Sequence, residues 1–103
     1  MPGLRERLRA YSVDVDFAGV SGFEIIDVLM ERSETARGET ALSEEERQEL
    51  EAADRALMRR ARQFYASLRE VADIAELRRR SGALPSQWWW YLDVLAEEPV
   101  AAA

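Results

Sequence analysis

Two sets of carboxylates carry a spacing that could do chemistry. Glu45, Glu46 and Glu49 form an E-E-x-x-E cluster, and beyond residues 50–69 Glu70 and Asp73 form an E-x-x-D pair. On a helix, residues three or four apart share a face, so each set would present several oxygens together. Oxygen ligands are what a hard cation such as Mg²⁺ requires. A third set, Glu24, Asp27 and Glu31, also shares one face of a helix. Those three are equally the polar side of an amphipathic segment whose other side is Ile25, Ile26 and Leu29, which explains them without a metal.

The five acids of the first two sets resemble the E-E-x-x-E…E-x-x-D signature of the MazG-like all-helical nucleoside triphosphate pyrophosphatases. That resemblance covers these residues alone. It implies Mg²⁺ held around a triphosphate, and so a Mg-dependent nucleotide pyrophosphohydrolase as the alternative function. Such a site needs the two sets to converge. Residues 50–69 hold no Gly and no Pro, and on one straight helix Glu46 and Glu70 would stand about 36 Å apart. Only a turn, or an antiparallel second chain, would bring them together. The reading of the residues themselves is therefore no metal and no cofactor.

Other catalytic chemistry is short of parts. There is no His and no Cys, which removes the commonest acid–base residue and the thiol nucleophile. The serines fall at helix caps or in loops with no basic partner in view. The expectation is a protein that is not an enzyme, with no catalytic residues and no small-molecule substrate.

Charge narrows the partners. The net charge is −6, and all 14 cations are Arg; phosphate-backbone binding relies on clustered cations in excess, so no nucleic-acid partner is expected. Arg59, Arg60 and Arg62 read more simply as partners of helix acids four residues away. Arg78, Arg79 and Arg80 precede the tryptophans, an arrangement that could suggest a lipid-surface helix. The polar face there carries Asp93, Glu97 and Glu98, however, which an anionic membrane repels. No run of about 18 apolar residues could span a bilayer, and the start lacks the apolar stretch of a secretory signal. The expected location is cytoplasmic.

Trp88, Trp89, Trp90 and Tyr91 are consecutive. On an α-helix, successive residues are about 100° apart, so four in a row point four ways. With Trp88 on the core side, Tyr91, Leu92 and Leu95 join it and Trp89 sits on a flank. Trp90 then falls between Asp93 and Glu97 on the wet side, with Val94 beside it. Tryptophan dominates interface energetics, so Trp89, Trp90 and Val94 are the candidate partner-binding residues.

The elements that must hold these groups are helical. A short helix is expected over residues 3–11, followed by an extended connector at 13–17 that tucks in Val13, Val15 and Phe17. A second helix opens at Ser21, with Glu24 completing a capping box and Val20 with Ile25 a hydrophobic staple. It buries Ile25, Ile26, Leu29, Met30 and Phe23 and ends near Ser33. Ser43 and Glu46 form a second capping box. From there to Arg80 no Gly or Pro intervenes, and the segment is rich in good helix formers. Leu50, Leu57, Ala61, Phe64, Leu68, Val71 and Ala75 mark its buried stripe, widened by Met58, Tyr65 and Ala72. Unbroken, this helix over about 43–80 would be about 57 Å long. Gly82 stops it, and Pro85 opens a fourth helix that runs to Pro99.

The expected fold is all-α: one long amphipathic helix with three shorter ones packed along it. Residues 1–98 form a single domain and 99–103 a tail. A rod so long is poorly covered by three short helices, and association is the usual remedy, so a homodimer is expected. The expected function is non-catalytic: interaction with its own copy or another cytoplasmic protein through the Trp-rich C-terminal helix. Its size and charge would suit a regulatory or antitoxin-like companion.

Overall fold

The computed structural model describes residues 3–17 and 21–97. Val20 and the 99–103 tail lie outside the described residues. Every regular element among those described is helical: α1 (Leu4–Phe17), α2 (Gly22–Ala36), α3 (Glu44–Arg59), α4 (Ala61–Leu68), α5 (Ile74–Ser81) and α6 (Leu92–Glu97). Single 3₁₀ turns occur at Glu39–Ala41 and Trp88–Trp90.

α1 runs straight through the stretch expected to be extended. Leu8, Tyr11 and Val15 are spaced for one helix face, and all three are buried. Val13 points outward. The apolar alternation at 13 and 15 therefore reflects opposite sides of a helix, not a strand. The helix end is tied by Arg60, whose Nη1 donates to the Val15 carbonyl at 2.5 Å. That carbonyl is among the last four of the helix, which have no partner within it.

The expected rod is absent. The segment 44–81 forms three helices, and the molecule measures 35 × 34 × 26 Å, too small to hold a 57 Å rod. The first break is at Arg60, with φ −99° and ψ 8°. Its amide divides between the carbonyls of Ala56 and Leu57, both at 3.2 Å. Its guanidinium lies 4.7 Å from the Phe64 ring centroid, so the side chain at the bend is held between the end of α1 and the first turn of α4. The second break follows Leu68, and Asp73 restarts the chain by accepting from the Ala75 amide at 2.9 Å. Gly82, at φ 67°, ends α5 in the left-handed conformation that glycine adopts without penalty.

The bend at Arg60 lets each half of the apolar stripe find its own partners. α3 packs on α1, while α4 is covered by α2 and α6. Leu50, Leu57, Ala61, Phe64 and Leu68 are buried as expected. The stripe fails at Met58 on α3, which is exposed, and again after Leu68, where Val71 and Ala75 are exposed. The core formed by Leu8, Tyr11, Leu29, Leu57, Phe64 and Leu92 is sealed from solvent, each side chain contributing about 1.5–3 kcal/mol. With the thin slab gone, the argument for a homodimer based on poor coverage has no footing.

Gly22 sets how closely α2 approaches α4. A Cβ placed there would lie 2.4 Å from the Ser67 carbonyl oxygen and 2.5 Å from Val71 Cγ2. Ser21 caps the helix by accepting from the Phe23 amide at 3.1 Å. The second cap is as expected: Ser43 Oγ accepts from the Glu46 amide, and Glu46 Oε1 accepts from the Ser43 amide. These hydrogen bonds to Ser43 hold the Glu46 carboxyl below its ordinary pKa.

Candidate interaction site

α2 positions nearly all the distinctive side chains of the molecule, on three different faces. Its inner face carries Arg32, only 4% exposed. The guanidinium forks onto Asp54 of α3, with Nε to Oδ1 at 2.9 Å and Nη2 to Oδ2 at 3.1 Å. Nη1 reaches Glu39 at 3.0 Å. Tyr11 donates its hydroxyl to Asp54 Oδ1 at 2.6 Å. Burial works against the charge on Arg32, but the Asp54 and Glu39 carboxylates outweigh it and raise its pKa. Burial, and then the Asp54 charge, push the Tyr11 hydroxyl far above the ordinary phenol range. A network this well satisfied is structural: every charge in it already has a partner.

The second face meets the tryptophans. The indole N–H groups of Trp89 and Trp90 both donate to Ser33 Oγ, at 2.8 and 2.9 Å. Arg32 stacks 4.3 Å from the Trp89 ring centroid, and Trp88 meets Trp89 edge to face at 5.8 Å. Arg78 holds the following turn by donating to the Trp90 carbonyl and to Asp93 at 3.1 and 2.9 Å. Trp89 and Trp90 are 3% and 2% exposed. They are thus covered almost entirely by their own chain. The expected outward placement of Trp90 assumed one α-helix from Pro85. Instead residues 88–90 form a 3₁₀ turn separated from α6 by Tyr91 at φ −117°, ψ 40°. Of the three expected contact residues only Val94, on α6, is exposed.

The third face of α2 looks outward, and sequence reasoning missed it. Phe23 and Met30, expected in the core, are 64% and 50% exposed. Seven residues separate them, so they lie almost in line along the helix, and half-buried Ile26 stands beside them at i+3. Next to Met30 a cleft of about 340 Å³ opens between α2 and the loop before the tryptophans, lined by Ser33, Arg37, Ser81, Gln87 and Trp90. The burial of Ile25, Val28, Leu29 and Arg32 fixes the inner face opposite Phe23 and Met30.

On the other flank of this ridge, α2 runs antiparallel to α1, with Arg7 pairing to Glu34. Farther along the same seam Glu31 faces Asp14, with Asp27 nearby. Glu31 Oε2 is buried without a partner. Burial, then the neighbouring Asp14 and Asp27 carboxylates, push its pKa up to about 8. Two carboxylates can bond one another only when a proton lies between them.

The five acids of the expected pyrophosphatase-like pattern stay apart in their roles. Glu46 belongs to the α3 cap, Glu49 pairs with Arg9, Asp73 caps α5, and Glu45 and Glu70 are exposed. Among the described residues no three His, Cys, Asp or Glu side chains are grouped to hold a metal ion. No described helix is long and apolar enough to cross a membrane. No protein-family model matches the chain, and neither a curated protein nor a solved structure matches it.

Proposed function

We propose that this chain is a non-catalytic protein-interaction module that presents the outer face of α2 to a protein partner. The observation that carries this reading is the joint exposure of Phe23 and Met30, in line on one helix with Ile26 between them. A single exposed apolar side chain is ordinary. A row of them at i, i+3 and i+7 on a helix otherwise engaged in the core is the pattern by which helices meet partner proteins. The cleft beside Met30 adds a recess for a partner side chain.

The buried polar chemistry supports the same reading from the other side. Arg32, Asp54, Tyr11 and Ser33 anchor α2 to α1, α3 and the tryptophan turn, which makes it a rigid platform. A preformed surface loses less entropy on association than a flexible one. Affinity capture from native cell extract tests the proposal with wild type beside a Phe23→Ser, Met30→Ser double variant. A defined protein should copurify with wild type and be lost with the variant, while the variant keeps its melting temperature. Capture of the same protein by both would exclude this face.

A further inference from the structure

Resting on that reading, we infer that the partner segment is a cationic amphipathic helix, docked across α2 with its apolar side on Phe23 and Met30 and its Lys or Arg side chains on Glu24, Asp27 and Asp14. The apolar ridge and the charge are set side by side. Glu24 and Asp27 are exposed on α2 around Phe23, and Asp14 of α1 reaches the same seam. Among the described residues no arginine forms a salt bridge with any of the three, although Arg7 and Arg37 pair with Glu34 about two to three turns farther along α2. The charges that act on Glu31 are those of Asp14 and Asp27, and its Oε2 has no hydrogen-bond donor. A cationic partner would supply the counter-charges that no described arginine gives Glu24, Asp27 and Asp14.

The same charges disfavour a second copy. A two-fold dimer through this ridge would place each acidic flank against the same kind of surface, because an isologous interface pairs a patch with itself. Like charges held together cost free energy, and the chain already carries a net charge of −6. A helix of opposite sign gains from both terms: apolar burial on the ridge and attraction along the seam.

The test uses a fluorescein-labelled synthetic helix of Leu and Lys, about four turns long, with Leu along one face. Two comparison peptides are used: the same composition scrambled to remove the apolar face, and a Leu/Glu version. Anisotropy titration of the full chain should show the Leu/Lys helix binding at least about tenfold more tightly than either comparison peptide. Phe23→Ser, Met30→Ser should weaken it by about tenfold, and Glu24→Gln, Asp27→Asn by about fivefold, with a marked loss on adding salt. All four positions point outward, so these variants keep the fold. Equal binding of the scrambled peptide would reduce the effect to diffuse charge and overturn the inference. Equal binding of the Leu/Glu helix would overturn the cationic partner but leave the α2 face as the contact surface. Binding by none of the three would overturn the inference too, while the capture experiment still decides whether the face is used. Sedimentation of the chain alone should show a monomer; a dimer abolished by Phe23→Ser, Met30→Ser would assign the face to a second copy instead.

Discussion

Trp90 of the tryptophan turn and Ser33 of α2, 57 residues apart in sequence, are joined by an indole hydrogen bond of 2.9 Å, and the same hydroxyl oxygen accepts from Trp89. One serine oxygen has two lone pairs, so this acceptor is fully used by two buried donors. The contact pins the C-terminal part of the chain to α2 and closes over most of the aromatic run.

Ser33→Ala removes that acceptor and leaves two buried N–H groups unsatisfied. Each such group costs about 1–3 kcal/mol, so the expected loss is about 2–6 kcal/mol in urea unfolding. Tryptophan emission in the native state should shift as water reaches the indoles. A loss below about 0.5 kcal/mol would mean that the two donors find other partners.

Asp54→Ala leaves Arg32 buried without its forked partner. Breaking one side of a buried pair costs about 3–5 kcal/mol, and here Tyr11 loses its acceptor as well. Replacing both members, Arg32→Met with Asp54→Leu, should cost clearly less than Asp54→Ala alone. Equal costs measured by denaturant unfolding would show that the charge left behind is not the cause.

Gly22→Ala places a methyl group within 2.5 Å of the Ser67 carbonyl oxygen and the Val71 side chain. Overpacking against backbone costs about 1–3 kcal/mol. Gly3→Ala meets nothing within 4 Å and serves as the control, with an expected change within about 0.5 kcal/mol.

Glu31 predicts a pH dependence opposite to that of most carboxylates. Its folded pKa, near 8, lies above the ordinary value of 4.5, chiefly through burial and then the Asp14 and Asp27 carboxylates. The folded chain therefore binds the proton more tightly than the unfolded one. The stability from this group is fully present below the ordinary pKa and is lost as pH rises through about 8. Unfolding free energy should thus fall between pH 5 and pH 9, and Glu31→Gln should flatten that slope. A stability that rises over this range, unchanged by Glu31→Gln, would contradict the carboxyl pair.

Much of the fold was legible in local chemistry, and the misses have identifiable causes. The Ser43–Glu46 box, the Gly82 stop and the all-helical class follow from short-range rules, and the structure repeats them. The Asp73 cap was also readable, since Asp followed three residues later by Glu76 is a helix-start pattern; an apolar stripe continuous across it masked the signal. The bend at Arg60 had no local mark. It depends on the Val15 carbonyl, 45 residues away, and on two half-stripes that are buried against different helices, α3 on α1 and α4 on α2 and α6. Trp90 was misplaced because angles drawn for an α-helix do not hold through a 3₁₀ turn. Phe23 and Met30 read as core because hydrophobicity marks both burial and binding, and only the positions of Ile25 and Leu29 separate the two.

The outer face of α2 is proposed to meet another protein. Site-specific photo-crosslinking in native cells tests it most directly, with a photoreactive phenylalanine placed at Phe23 and, as control, at exposed Glu51 of α3. The account predicts a defined protein adduct from position 23 and none from position 51. No adduct from position 23, or the same adducts from both positions, would contradict it.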